Sequence, residues 1–204
     1  MMVVWAGLAM GQGLFVVDSP AGVNLFLLAS ILLSISLIPI LLTEIKAPEE
    51  ELQESLGFKA LWKASPSGVV TIGISGLASA GFFGVGTIYA IKSGLSISET
   101  ALFMTLFIGF GALSQWPLGW LSDRIDRRKV ILLCCSIVVG ICVLLALFDF
   151  SKTIFLTLNG IIGASTLPLY SLGVAHTNDR LKPSQMVSAS GTIVFVFSIF
   201  AALG

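Results

Sequence analysis

The sequence predicts an all-α protein: a polytopic bundle of transmembrane helices, incomplete, with about seven membrane spans. The chain has 204 residues, of which 56% are hydrophobic and only 11% are charged. A soluble domain carries about 25% charged residues, so lipid rather than water must surround most of this surface. A span needs about 20 apolar residues. Seven stretches approach this length: residues 2–17, 21–42, 68–91, 100–121, 130–148, 153–175 and 184–204.

Several of these stretches carry features that predict their shape. The third has Gly76, Ala80 and Gly84 at four-residue intervals, and such small-residue ridges let membrane helices approach each other closely. The sixth contains Pro168, which lacks an amide hydrogen and is therefore expected to kink the helix. The first stretch is short, and the last reaches the end of the sequence without a flanking charge. We therefore expect this chain to be a fragment of a longer protein.

The basic residues predict the orientation of the bundle. If residue 1 faces the cytoplasm, the outer connections hold only two of the 11 Lys and Arg residues, Lys92 and Lys152. The cytoplasmic connections then hold the other nine: Lys46, Lys59, Lys63, Arg124, Arg127, Arg128, Lys129, Arg180 and Lys182. Cytoplasmic loops of membrane proteins carry such an excess of Lys and Arg. The sequence thus predicts that residues 119–129, which join the fourth and fifth spans, are cytoplasmic.

One connection, residues 44–67, is long and also lies on the predicted cytoplasmic side. It begins with an acidic run and ends with Lys59 and Lys63, and its apolar residues up to Trp62 fall near helical spacing. One interpretation is a solvated linker with a short helix resting on the lipid headgroups. The other is a hinge that tethers two helical bundles, and the layout of two spans before the connection and five after it suits this second interpretation.

Residues 119–129 form the most informative segment. Six of the seven residues from Asp123 to Lys129 are charged, whereas residues 100–122 and 130–148 contain no charge. Because one central charged residue costs roughly 2.5–3.5 kcal/mol in a membrane helix, this run must be a tight turn at the water interface. The turn resembles the signature loop of the major facilitator superfamily of secondary transporters, Gly-x-x-x-Asp-Arg/Lys-x-Gly-Arg-Arg/Lys. The matching residues are Gly119, Asp123, Arg124, Arg127 and Arg128, whereas Asp126 stands where the family usually has glycine.

The resemblance implies a fold of the general-substrate-transporter type, in which two six-helix bundles are joined by a long cytoplasmic loop. Counted outward from the turn, the seven stretches would correspond to helices 5–11 of this fold. Residues 1–43 would then be the last two helices of the N-terminal bundle, residues 44–67 the interdomain loop, and residues 68–204 the C-terminal bundle. Helices 1–4 and 12 of the same protein would be missing.

The resemblance also implies a function. It is that of an alternating-access carrier similar to bacterial permeases, a multi-pass protein of the cell (inner or plasma) membrane that moves a small molecule. In the family, the signature turn holds the cytoplasmic gate closed in the outward-facing state. The five matching residues are therefore the candidate gate here, with residues 2–17 as the expected partner helix. The other interpretation is that the turn is only a positively charged anchor on the cytoplasmic side.

A second group of gate residues is suggested at the cytoplasmic end of the sixth span. His176, the only histidine of the chain, and Asp179 lie there, where they could pair with the arginines of the turn. The alternative is that they are ordinary residues of a helix end and loop.

Polar side chains within the spans are the candidates for a substrate path. They include Ser75, Ser79, Thr105, Gln115 and Asn159, each of which could instead form a hydrogen bond between helices. Asn159 is the strongest candidate because an amide without partners in hydrocarbon costs several kcal/mol. The span interiors hold no Asp, Glu, Lys or Arg, so a neutral or amphipathic substrate is favoured. If transport is coupled to a proton, the titrating residue is expected in the missing half.

Other functional classes find little support in the sequence. The net charge of zero gives no reason to expect a nucleic-acid partner. Cys134, Cys135 and Cys142 lie in one apolar span and are expected to be packing residues rather than a metal or disulfide set. We expect no metal, no cofactor and no catalytic residue.

The sequence leaves two alternatives to a transporter. Residues 73–76, Gly-Ile-Ser-Gly, are similar to the Gly-x-Ser-Gly motif of rhomboid intramembrane proteases, with His176 as the base for Ser75. However, Ser75 should lie about 10 Å inside the membrane at 1.5 Å per helical residue, whereas His176 should lie at the inner surface. The second alternative is a pore or a membrane subunit with a purely structural role.

Overall fold

A computed structural model of the chain describes residue 7 and residues 22–43 and 56–204. Within these ranges every regular element is a helix, which confirms the expected all-α fold. The helices are α1 (Asn24–Leu42), α2 (Phe58–Ala64), α3 (Pro66–Lys92), α4 (Ile97–Ser122), α5 (Arg127–Leu147), α6 (Lys152–Thr166), α7 (Pro168–Asn178) and α8 (Pro183–Leu203).

Five apolar segments of the described chain are long enough to cross a membrane, and they confirm the last five expected spans. They are α3, α4, α5, the combined α6–α7 segment and α8. The second expected span is also a helix, α1, but its apolar part, Asn24–Pro39, is shorter than the other five, and most of its side chains are exposed. The first expected span, residues 2–17, lies outside the described residues apart from Gly7.

The helix of the sixth span is interrupted at the point where a kink at Pro168 is expected. Helix α6 ends at Thr166 and α7 begins at Pro168, with Leu167 between them. Proline cannot donate the backbone hydrogen bond that would continue the helix, which accounts for the interruption at this point. Leu167 itself is buried against Phe107 and Ile108 of α4, which fixes the position of the break.

Close backbone contacts hold the helices together, as is usual where lipid provides no hydrophobic drive for association. Gly163 of α6 lies so near the Phe107 carbonyl of α4 that a Cβ atom would overlap it. Gly76 of α3 approaches the Phe197 carbonyl of α8 in the same way. In addition, the Ser114 hydroxyl of α4 donates to the Ala164 carbonyl of α6 at 2.7 Å. These seams, α4 with α6 and α3 with α8, are the most extensive contacts between the helices.

The long connection contains the short helix that its apolar spacing suggested. Helix α2 buries Leu61 completely, and the preceding Leu56 accepts a 2.8 Å hydrogen bond from Thr192 and donates one of 2.7 Å to Ser188 of α8. Phe58 and Trp62 stack on each other at 6.1 Å on the exposed side. The acidic part of the connection lies outside the described residues.

The helices alternate in direction and give the bundle two distinct ends. At one end, which we call the inner end, α4 and α7 finish and α3, α5 and α8 begin. The inner end contains the turn at residues 119–129, together with Arg180 and Lys182. At the outer end, α3 and α5 finish while α4 and α6 begin, and this end contains Lys92 and Lys152. Lys92 and Lys152 thus lie at the opposite end from the turn, Arg180 and Lys182, and that the inner end faces the cytoplasm stays a prediction.

Candidate functional site

The turn at the inner end is built by two helix caps. Helix α4 is followed by Asp123 at its C-cap, and α5 begins at Arg127 with Asp126 as its N-cap. The Asp126 carboxylate accepts a 3.0 Å hydrogen bond from the Arg128 amide, which satisfies one of the free N–H groups at the helix start. Asp126 has a φ of −55°, a backbone conformation open to any residue. Its replacement of the family's glycine therefore leaves the turn unstrained and adds a cap.

Arg127 is the centre of the site. Its Nη2 lies 2.7 Å from Asp123 Oδ1, its Nε lies 2.7 Å from Asp179 Oδ2, and its Nη1 donates to Ser122 Oγ at 2.9 Å. The side chain of Arg127 is 20% exposed, whereas those of Asp123 and Asp179 are 66% and 53% exposed. One planar guanidinium therefore joins the end of α4, the start of α5 and the end of α7. Lys could not replace it here, because its ammonium is a single compact charge and lacks the planar array of N–H donors of Arg.

The other predicted residues of the turn do not join this network. The Arg124 guanidinium lies 3.7 Å from the centre of the Trp120 ring, a cation–π contact. Arg128 is exposed and lines a separate apolar groove of about 380 Å³ between α3 and α5. A Cβ atom on Gly119 would meet nothing within 4 Å, so packing inside the described part of the chain does not require glycine there.

His176 and Asp179, the second predicted gate group, have different partners. Asp179 forms an ion pair with Arg127, one of the arginines of the turn. His176 is only 5% exposed, and its Nε2 lies 2.8 Å from the hydroxyl of Ser67 in the first turn of α3. The prediction that His176 pairs with an arginine of the turn is therefore corrected, because its ring is turned toward α3. Both residues nevertheless line one depression of about 380 Å³, which the turn shares.

The geometry does not support a protease dyad of Ser75 and His176. The Ser75 hydroxyl donates to the Ile72 carbonyl of its own helix at 2.7 Å. The histidine contacts Ser67, which lies eight residues earlier, about 12 Å away along α3 at 1.5 Å per residue. Ser75 and His176 are therefore too far apart for proton transfer between them.

One cavity on the bundle surface contains a predicted pathway residue. It has a volume of about 410 Å³, and its wall is formed by α3, α7, α8 and the break before α7. Ser79 is the pathway candidate that lines it, together with Ala80, Phe83, Leu167, Tyr170, Ser171, Phe197 and Ala201.

Gln115 is connected to this cavity through α7. Its Oε1 accepts a 3.1 Å hydrogen bond from the Ser171 hydroxyl, while its Nε2 is buried and has no partner among the described residues. Tyr170 and Ser171 are not among the pathway residues predicted from the sequence. Each nevertheless carries a hydroxyl within an apolar span, which is the feature that singles out Ser79.

The remaining pathway candidates lie elsewhere. The Asn159 amide is buried, and its Nδ2 donates to the Phe103 carbonyl of α4 at 2.7 Å. This is a hydrogen bond between helices, the alternative to a role in the substrate path that the sequence analysis gave for Asn159. Thr105 is exposed and donates to the Ala101 carbonyl of its own helix. Among residues 22–43 and 56–204, no group of three His, Cys, Asp or Glu side chains could hold a metal ion.

Comparisons with known proteins agree with the resemblance seen in the turn. A model of the Major Facilitator Superfamily matches residues 2–204. The chain is similar to the uncharacterized MFS-type transporter YcaD of Escherichia fergusonii, with 24% identity over 207 residues. It is 25% identical over 209 residues to the protein of that name from Salmonella arizonae. Each alignment covers 100% of this chain and 53% of the relative, so the chain spans about half the length of the curated relatives it matches.

No solved structure matches the chain significantly. The match over nearly the whole sequence and the five apolar membrane-length segments make this a multi-pass membrane protein. The chain belongs to the Major Facilitator Superfamily.

Proposed function

We propose that the full-length protein carries a small molecule across the cell (inner) membrane by alternating access, with the ion-pair network around Arg127 as part of its cytoplasmic gate. The observation that supports this most directly is the position of the Arg127 side chain, which contacts Asp123 and Asp179 at 2.7 Å each. The network ties three helix ends at the inner end of the bundle. A movement of α4 or α7 at this end would have to break it.

The strength of these contacts suits a gate that opens in every cycle. Both carboxylates are more than half exposed, and exposed ion pairs contribute about 0–1 kcal/mol each. A network of two such pairs can bias the position of the helix ends without locking them. A fully buried pair would resist opening far more strongly, because removing one partner leaves an uncompensated charge.

We propose the 410 Å³ cavity beside Ser79 as one wall of the substrate path. Its volume falls within the range of about 300–1,000 Å³ that is usual for small-molecule sites. Its lining is mainly apolar, with the hydroxyls of Ser79, Tyr170 and Ser171 as the polar groups and Gln115 behind Ser171. Such a wall would suit a neutral or amphipathic molecule. The opposite wall would come from the N-terminal bundle, and the coupling proton, if there is one, from a residue outside this chain.

This proposal assigns residues 1–43 to the N-terminal bundle, residues 44–67 to the interdomain loop and residues 68–204 to the C-terminal bundle. Helices 1–4 and 12 would complete the carrier. The exposed surface of α1 and its separation from α3 by the connection support the first of these boundaries. We propose a carrier rather than an enzyme.

The test is the reactivity of a cysteine placed in the cavity, measured from each side of the membrane. In full-length protein with Cys134, Cys135 and Cys142 replaced by alanine, Ser79→Cys is treated with a membrane-impermeant thiol reagent in right-side-out and inside-out vesicles. We expect it to react from both sides. Asp123→Asn, which removes one partner of Arg127, should raise the reaction from the cytoplasmic side and lower it from the outer side.

Two controls make the outcome decisive. Lys129→Gln removes a charge from the same turn without an ion-pair partner among the described residues, and it should leave the reactivity of Ser79→Cys unchanged. Ile97→Cys, 88% exposed at the outer end, should react from the outside in every variant. A membrane subunit with a static structural role would show no reciprocal change on Asp123→Asn, and that result would overturn the proposal.

A further inference from the structure

The outer end of the bundle contains a pocket that is separate from the Arg127 network. It has a volume of about 200 Å³ and lies where α3 and α5 end and α6 begins. Four aromatic side chains line it: Tyr89 from α3, Phe148 and Phe150 from the connection after α5, and Phe155 from α6. Asp149 and Lys152 also line it, so the pocket combines aromatic rings with charged groups.

The aromatic rings are arranged as two pairs. Tyr89 and Phe155 have centroids 5.9 Å apart, and Phe148 and Phe150 have centroids 6.4 Å apart with their planes at 58°. Phe155 is held in place by stacking on Phe103 of α4 at 5.6 Å. The two pairs thus place rings of different orientation beside one pocket, and the face of an aromatic ring attracts cations.

The charges of the pocket favour a cation as well. Both carboxylate oxygens of Glu99 accept hydrogen bonds from the Lys152 ammonium, at 3.0 and 2.9 Å, so the charge of Lys152 is balanced by Glu99. Asp149 is exposed, and its carboxylate has no hydrogen-bond or ion-pair partner among residues 22–43 and 56–204. Of the two charged residues that line the pocket, Asp149 is therefore the one without an ion-pair partner, and Lys92, at the end of α3, lies outside the lining.

We propose that this outer pocket binds small organic ammonium ions. An ammonium head group, primary or methylated, would lie against the rings of Tyr89, Phe148, Phe150 and Phe155 with its charge near the Asp149 carboxylate. The volume is below the range of about 300–1,000 Å³ for drug-sized ligands, so the site takes a head group or a small ion rather than a large molecule. The proposal concerns ligand binding at the outer surface and does not depend on whether the inner end works as a gate.

Choline and its neutral analogue 3,3-dimethyl-1-butanol provide the test, because they share a shape and differ in charge. Binding is measured by isothermal titration to the full-length protein in nanodiscs of phosphatidylglycerol, at constant ionic strength. We expect choline to bind and the neutral alcohol to bind at least about fivefold more weakly, since a unit charge near a carboxylate in water contributes about this factor. Equal binding of the two compounds, or no binding of choline, would overturn the proposal.

Variants on exposed positions locate the site without threatening the fold. Asp149→Asn should weaken choline binding about fivefold, and Phe148→Leu should weaken it about two- to fivefold through loss of one ring face. Phe195→Leu is the matched control, because Phe195 is 60% exposed on α8 and Phe148 is 58% exposed. Equal losses for Phe148→Leu and Phe195→Leu, or no loss for Asp149→Asn, would contradict the assignment.

The ammonium can come from solution or from a lipid headgroup, and the lipid composition separates these sources. With phosphatidylethanolamine added to the nanodiscs, weaker apparent choline binding would identify the lipid ammonium as an occupant of the pocket. Unchanged choline binding would identify a soluble ammonium ion as the ligand. Either result is consistent with ammonium recognition by the aromatic rings and Asp149.

Discussion

The inner and outer ends of this bundle both carry ion pairs, but the pairs are built in opposite ways. At the inner end, one arginine is shared by two carboxylates, and Arg127 at 20% exposure is less exposed than either partner. At the outer end, Glu99 faces Lys152 alone, and the carboxylate, at 31%, is less exposed than the ammonium at 57%. The inner network joins three helices, whereas the outer pair joins two.

The difference suggests that the two ends serve different purposes. Loss of Arg127 would remove both inner ion pairs at once, so the inner network can act as a single switch. Glu99 at the outer end also closes a capping box with Ser96, accepting from the Ser96 amide at 2.7 Å. The start of α4 therefore keeps its cap if Lys152 is lost. We infer that the outer pair fixes a helix end while the inner network is suited to open and close.

The largest effect is expected from a substitution that disturbs the helix seam connecting the two ends. Gly163→Ala places a methyl group against the Phe107 carbonyl, so the backbones of α4 and α6 must separate. Overpacking of this kind costs about 1–3 kcal/mol. Unfolding of the full-length protein in mixed micelles should show this loss, together with faster amide exchange at both ends of α4.

Gly140→Ala on α5 is the control for this substitution. A Cβ atom there meets nothing within 4 Å, so replacing glycine in the middle of a helix should be neutral or stabilise by up to about 1 kcal/mol. If Gly163→Ala and Gly140→Ala had equal stability, the close contact of α4 and α6 would not be what stabilises the bundle between its two ends.

A smaller effect is expected when the inner network is removed. Arg127→Gln breaks two exposed ion pairs, each contributing about 0.2–1 kcal/mol, and leaves Asp123 and Asp179 close together without a counter-charge. Hydrogen exchange should become faster at residues 119–129 and at the end of α7, while the outer end of α4 stays unchanged.

Arg124→Gln is the matched control at the inner end. It removes the same charge from the same turn, but Arg124 contacts the Trp120 ring rather than a carboxylate. Its effect on exchange at the end of α7 should be absent. If Arg124→Gln and Arg127→Gln loosened α7 equally, net positive charge rather than the shared guanidinium would hold the inner end together.

The sequence predicted the framework of both ends and few of their contacts. The five spans in the described part agree with hydropathy to within a few residues because the bilayer thickness fixes the length of an apolar stretch. The break at Leu167 followed from Pro168 because proline acts locally. For the ion pair of Arg127 with Asp179, the sequence indicated only that Asp179 or His176 could pair with an arginine of the turn. It did not indicate which arginine.

Contacts that depend on which helices meet side by side could not be read from the sequence. The partner of His176 is Ser67, which lies 109 residues away, and nothing local to either residue selects the other. The partner of Asn159 is a backbone carbonyl, a group that every residue of α4 carries. Its use as a link between helices therefore became visible only with the packing of α4 against α6.

The smallest effect is expected at the outer ion pair, and it sharpens the contrast between the ends most directly. Lys152→Gln removes the link between the starts of α4 and α6 but leaves the hydrogen bond between Ser96 and Glu99 intact. Any loss of stability should be slight and should disappear in high salt, because screening weakens exposed pairs in the wild type as well. The variant Lys92→Gln removes the same charge from the same end without breaking an ion pair among the described residues, and it should show no salt-dependent difference. Reactivity of Ser79→Cys from the cytoplasmic side should be unchanged in both variants. If Lys152→Gln instead altered that reactivity, the two ends would be coupled, and the outer pair would belong to the gate together with Arg127.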